Sequence, residues 1–290
     1  MTLTEHHVRL PLRAPLGGMA FRDAVLLEGP VGWGEWSPLP GYPSDPETCR
    51  RAAEEAATTE WPRPVRTQVR VNALVPAVAP DEAAALAAGL TDVKVKVGDA
   101  DDVDRVAAVR NAIGRHARLR VDANGAWDVE TAVRTMARMA CFGVELFEQP
   151  VASLEELAAV RRRVDVPVAA DECVRNLDDA RRLAALGAAD ALVVKVQPLG
   201  GMAATLRVME AAGVAVIVSS MYETSVGLAA GLALAAALDD LPYACGLGTA
   251  GLLAADVVTD PLLAVDGWLR VRRPVPVPGL LARYRTGARG

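Results

Sequence analysis

Residues 92–97 read Asp-Val-Lys-Val-Lys-Val, and the next run of the same kind, residues 118–124, reads Arg-Leu-Arg-Val-Asp-Ala-Asn. Both are short, β-branched and bounded by polar residues, the pattern of strands rather than of helix turns. In a strand, residues i and i+2 point to the same side, so Lys94 and Lys96 share one face. Further runs of this kind follow: VELFEQP (144–150), VPVAADE (166–172), ADALVVKV (189–196) and VAVIVSS (214–220). VRVNALV (69–75) precedes them and a weaker PYACG (242–246) ends the series. Segments with helical apolar spacing lie between, such as Val129, Val133, Met136 and Ala140. Ser153 with Glu156 makes a capping box, Asn176 opens the next helix and Gly187 closes it. Buried strands alternating with helices predict parallel βαβ units, and eight of them an α/β fold of the (β/α) TIM-barrel type. No GxGxxG follows the first strand, which weighs against a dinucleotide-binding sheet.

Residues 1–66 read differently. Two alternating stretches, HVRLPL (7–12) and AVLLEG (24–29), lead through VGWGEWSPLPGY (31–42) to a helix over about 46–58. The expectation is a small α+β capping domain over 1–66, a barrel over 67–255, and a tail, 256–290, that completes the cap. The strand-like piece DGWLRVRRPVPVPG (266–279) is the part of the tail expected to return to it.

The net charge of −5 comes with no basic block, which excludes nucleic acid and anionic membrane as expected partners. The longest apolar run, roughly Val226 to Leu238, is too short to span a bilayer, and the first residues lack a signal-peptide layout. Four cysteines without CxxC spacing fit a reduced, cytoplasmic protein. Of 31 basic residues only Lys94, Lys96 and Lys195 are lysine. Arginine replaces lysine readily at a solvated surface, but not where the group must give up a proton. The three lysines are therefore candidates for proton transfer.

The last inward polar residue of each strand gives the series Lys96, Asp122, Glu148, Asp171, Lys195 and Ser219, at steps of 26, 26, 23, 24 and 24; Asn72 lies 24 before Lys96. Each step is one βα unit, so these side chains converge at the C-terminal mouth of the barrel. Asp122, Glu148 and Asp171 would form a hard oxygen site that favours Mg²⁺, with Mn²⁺ as a substitute, over zinc. His6, His7 and His116 lie outside the series. Lys96 and Lys195 would flank a substrate carboxylate from opposite sides. The Lys94 ammonium and partial burial are both expected to lower the pKa of Lys96 toward that of a general base.

Lys94-Val95-Lys96, Asp122-Ala123-Asn124, Glu148-Gln149-Pro150, Asp171-Glu172 and Lys195 together resemble the enolase superfamily, in particular its muconate-lactonizing subgroup. The resemblance covers nearly the whole chain. Within the subgroup, Gly32-Trp33-Gly34-Glu35-Trp36-Ser37-Pro38-Leu39-Pro40-Gly41, Arg22-Asp23 and Gly246-Leu247-Gly248-Thr249 are similar to the family that forms o-succinylbenzoate in menaquinone biosynthesis. That resemblance implies a hydro-lyase carrying out Mg²⁺-dependent syn dehydration of 2-succinyl-6-hydroxy-2,4-cyclohexadiene-1-carboxylate through an enediolate. It implies Lys96 as acid–base, Lys195 as a cation on the other face, and Asp122, Glu148 and Asp171 as metal ligands. Asn124 is read either as orienting the metal site or as a turn residue before Gly125. Ser219 and Ser220 are read as donors to the succinyl carboxylate or as strand-end caps, Arg22 as a carboxylate ligand or a surface ion pair. The Leu16–Met19 loop is read as a lid or a hairpin turn, and Glu35 as packing the cap on the barrel. N-succinylamino acid racemisation, or another epimerase or cycloisomerase reaction, is the alternative on the same scaffold. A Schiff-base aldolase would leave the carboxylate trio unexplained, and a barrel that only binds ligand would leave the phased lysines so.

Overall fold

The computed structural model describes residues 2–16 and 18–287. Strands β1 (Thr4–Leu16) and β2 (Met19–Glu28) form an antiparallel hairpin, to which β3 (Trp33–Trp36) adds along β2. The loop read as lid or turn is the tip of this hairpin; Gly17 within it lies outside the described residues. Helix α1 (Pro46–Thr58) packs on the sheet. Asp45 opens it by accepting from the Thr48 amide at 2.9 Å, and Pro46 takes the first position, where no amide is needed. Its buried face is Cys49, Ala52, Ala53, Ala56 and Ala57, small enough for a close approach to β3.

After this unit come β4 (Gln68–Arg70), β5 (Ala73–Val75), α2 (Pro80–Ala87), β6 (Asp92–Lys96), α3 (Asp102–Ile113), β7 (Arg118–Asp122), α4 (Val129–Met139) and β8 (Val144–Glu148). Then follow α5 (Leu154–Arg161), β9 (Val168–Ala170), α6 (Leu177–Leu186), β10 (Ala191–Val194), α7 (Met202–Ala212), β11 (Ala215–Val218) and α8 (Ser225–Ala237). Strands β5 to β11 pair in chain order in one parallel sheet, as successive βα units require. The expected capping box at Ser153 and Glu156 is present, Asn176 caps α6, and Gly187 ends it in the left-handed conformation.

Two strands differ from expectation. PYACG forms no strand of its own: Cys245 bridges to Val71 and Gly246 to Ser219, and these bridges close the curled sheet. The run 69–75 divides at Val71–Asn72, because residues 68–70 have a second partner. That partner is β12 (Trp268–Arg270), the strand-like piece of the tail, which pairs antiparallel with β4 and not with the N-terminal hairpin. The hairpin is met instead on either side of β12. Before it, Leu12 bridges to Leu253, and Val257 and Val258 pack with Val8 and Leu10. After α9 (Pro278–Arg283), Arg9 donates to the Tyr284 carbonyl and Thr286 to that of His7, both at 2.9 Å.

The main core lies between the sheet and its surrounding helices, and Leu146, Ala169, Ala191, Val193 and Ile217 form a separate buried cluster on alternate positions of β8 to β11. Alanine at two of these five positions, Ala169 and Ala191, leaves room for long polar side chains nearby. Helix α8 is apolar on almost every side and buried, packed against β3, β4 and β11. No helix among the described residues is long and apolar enough to cross a membrane, and all four cysteines are free.

Candidate active site

Strand register places the polar residues beside one another. Lys96 pairs with Asp122, and Asp122 with Glu148, on three adjacent strands. Glu148 pairs with Ala169, two residues before Asp171. Asp171 and Lys195 are the first residues beyond β9 and β10, and Ser219 and Ser220 follow β11. Except for Glu148, which lies just beneath, all these side chains line one cavity of about 290 Å³, together with Lys94 and Asn124. Lys96 and Lys195 belong to the second and sixth of eight positions around the barrel, and so face each other across it.

Each carboxylate meets an ammonium. Lys94 Nζ lies 2.7 Å from Glu148 and 2.9 Å from Asp122, Lys96 Nζ 2.6 Å from the same Asp122 oxygen, and Lys195 Nζ bonds Asp171. Burial alone would lower the Lys94 pKa, but the charges of Asp122 and Glu148 outweigh it and hold it above the ordinary lysine range. At Lys195, likewise, Asp171 overcomes the effect of burial and keeps the ammonium charged. Burial would raise Asp122, yet Lys94 and Lys96 hold it well below the usual carboxylate range. Glu148 is pushed up to about 7 by burial and by the Asp122 charge, with the Lys94 ammonium pulling the other way. Lys96 Nζ and Lys94 Nζ thus share one Asp122 oxygen, so a carboxylate lies between the two ammonium groups.

Among the described residues, no group of three or more His, Cys, Asp or Glu stands close enough to hold a metal ion as placed. The three carboxylates come from neighbouring strands but turn toward the lysines.

Asn124 does more than turn the chain. With φ of 45° it sits in the left-handed region, accepts from Lys96 Nζ at 2.6 Å and donates to Glu172 at 2.8 Å. Ser220 donates to the Gly246 carbonyl at 2.6 Å, and its hydroxyl lies 2.9 Å from that of Thr249. Arg22 is neither on the surface nor in the cavity: it is buried, and its guanidinium bonds backbone carbonyls. Glu35 is buried at the seam, accepting from Thr224 Oγ1 at 2.6 Å and the Gly227 amide at 3.0 Å.

Sequence reasoning missed Tyr42. Its hydroxyl donates to Asp171 at 2.9 Å, and Lys195 Nζ lies 4.5 Å from the centre of its ring, within cation–π range. The one available signal is an aromatic residue next to Gly41 in a chain with four tyrosines. Gln149 was also missed; its Oε1 accepts from the Asp171 amide at 2.7 Å and so fixes where that carboxylate begins.

A barrel with phased lysines and carboxylates at its mouth, under an α+β hairpin unit, is the architecture of the enolase superfamily. Residues 79–285 match the family described as Enolase C-terminal domain-like, and residues 7–57 the one described as Enolase N-terminal domain-like. A 2-chloromuconate cycloisomerase from Rhodococcus opacus 1CP superposes with a TM-score of 0.87 at 25% identity, covering 99% of both chains. The N-succinyl Arg/Lys racemase of Bacillus cereus gives the same TM-score at 20% identity, a likeness of fold alone, covering 99% of both chains. The o-succinylbenzoate synthase of Thermobifida fusca is 53% identical over 93% of this chain and 88% of its own length. That of Mycobacterium leprae is 44% identical over 98% and 89%. The chain belongs to the enolase superfamily and, within it, to the o-succinylbenzoate synthases.

Proposed function

We infer that this chain catalyses the o-succinylbenzoate synthase reaction, a carbon–oxygen lyase step that dehydrates 2-succinyl-6-hydroxy-2,4-cyclohexadiene-1-carboxylate. The similarity to two such synthases over more than nine-tenths of the chain carries the inference, and two lysines facing each other across the cavity give it a chemistry.

In this reading Lys96 takes the proton from the carbon that bears the carboxylate. The freed electron pair forms the new ring double bond as the neighbouring carbon–hydroxyl bond breaks. Lys96 returns the proton to the departing hydroxide, and water leaves from the same face. Asn124 Oδ1, at 2.6 Å, orients the Lys96 Nζ for both transfers. Lys195, held charged, faces the ring from the other side and steadies negative charge that develops on it. Lys94 stays engaged with Asp122 and Glu148.

The donor set suits a divalent cation in kind: three buried carboxylates on neighbouring strands, oxygen only, with Glu148 pushed up by burial and then by the charge of Asp122. Mg²⁺, or Mn²⁺ in its place, held by Asp122, Glu148 and Asp171 would supply positive charge to the substrate carboxylate. Asp171 would have to give up Lys195 to take part.

The test is to incubate the protein and Mg²⁺ with the cyclohexadiene carboxylate and follow the loss of its absorbance. Turnover is expected, with kcat/KM lowered at least about a hundredfold in Lys96→Ala and in Lys195→Ala. Full turnover in either variant would refute the assigned roles. Deuterium exchange into N-succinyl amino acids without dehydration would favour the racemase reading.

A further inference from the structure

Arg22 lies on β2, far in sequence from the barrel, yet only 2% of it is exposed. Its guanidinium bonds main-chain carbonyls. Nη1 donates to the Pro38 carbonyl at 3.2 Å and Nη2 bonds that of Ser37, both in the loop after β3. Nη2 also donates to Met221 at 3.1 Å and Nε to Tyr222 at 3.3 Å, in the loop after β11. The remaining contact, to the Asp23 carbonyl at 3.5 Å, is local.

The two loops are the two rims of the cavity. Leu39 and Tyr42 line it from the first, Met221 and Tyr222 from the second. Tyr222 has a φ of 59°, a conformation rarely adopted by a side-chain-bearing residue unless its surroundings impose it. A planar fork with five donors can fasten four carbonyls on two loops at once; a lysine ammonium, with three donors on a single atom, cannot. Other bonds hold the rims in place as well: the Ser37 amide donates to Gln197 at 2.7 Å and the Thr224 hydroxyl to Glu35 at 2.6 Å. Loss of Arg22 therefore loosens the rims without undoing the seam.

We propose that Arg22 is a positioning residue for substrate binding, which sets the cavity width by fastening both rims through their main-chain carbonyls. The substrate it serves is the one inferred above. Its action on the rims does not depend on that assignment.

The experiment compares wild type with Arg22→Lys by hydrogen exchange without substrate, and by steady-state kinetics. Exchange over 37–42 and 219–223 should speed up about tenfold or more, while strands 92–96 and 144–148 stay unchanged. KM should rise about tenfold with kcat altered less than about threefold, the signature of lost binding rather than lost chemistry. Uniformly faster exchange, an unchanged KM, or a fall confined to kcat would overturn the proposal. If Arg22→Lys does not fold, the wild type still decides. The hydrogen-bonded amides of Ser37 and Met221 should open together, with one denaturant dependence. Independent opening would refute the clasp. A wild type with no turnover but the expected exchange pattern would sink the proposed function alone.

Discussion

Glu35 is a residue at which cap and barrel meet, and its carboxylate accepts from the amides of Thr224 and Gly227 and the hydroxyls of Thr224 and Ser37. Burial, and after it the charge of Glu223, nevertheless pushes its pKa up to about 7 from the ordinary 4.5. Below pH 4.5 the folded and unfolded chains both hold the proton. As pH rises toward 7 the unfolded chain releases it first, so this group removes stability across that window and no more above it. Glu35→Gln, which does not titrate, should therefore be most costly near pH 4.5. Its cost should fall by up to about 3 kcal/mol by pH 8. Denaturant unfolding of both proteins across this range would show it, and a cost independent of pH would contradict the shift. The arginine excess has a related logic. Arg22 works as a permanent, planar set of donors, whereas lysine occurs only at Lys94, Lys96 and Lys195, all three at the barrel mouth.

At the level of elements, the seating of α1 on β3 depends on one missing side chain. A Cβ at Gly34 would lie 1.9 Å from the Ala53 carbonyl oxygen and 2.7 Å from its carbon, both main-chain atoms of α1. Helix α1 cannot retreat without uncovering Val25 and Leu27, which bury against Ala53 and Ala57. Gly34→Ala should cost about 3 kcal/mol, at the upper end of overpacking, and should lower Tm. A thermal unfolding midpoint equal to that of wild type would show that the helix can shift freely. Since β3 runs into Ser37 and Pro38, whose carbonyls are two of the four that Arg22 grips, a displaced α1 would also disturb one rim of the cavity.

For the molecule as a whole, three acidic strand ends packed against three lysines form a charge cluster that a divalent cation would rearrange. Mg²⁺ bound only by the folded chain should raise stability by about 2.7 kcal/mol at a concentration one hundred times its Kd. Scanning calorimetry with Mg²⁺ and with a chelator should show the shift, and Asp171→Asn should shrink it. An equal shift in Asp171→Asn would remove that residue from the ligand set.

Much of this was legible in the sequence. The steps between Lys96, Asp122, Glu148, Asp171 and Lys195 equal the length of a βα unit, and the period of two along each strand fixes which side chains face inward. Both are local rules, so the barrel and the residues at its mouth could be placed before any contact was known. The partners could not. That Asp171 meets Lys195 and Tyr42, that Arg22 holds carbonyls instead of a substrate, and that β12 pairs with β4 all depend on segments distant in the chain being packed together. Sequence periodicity determines the direction in which a side chain points; tertiary packing alone decides what it meets there.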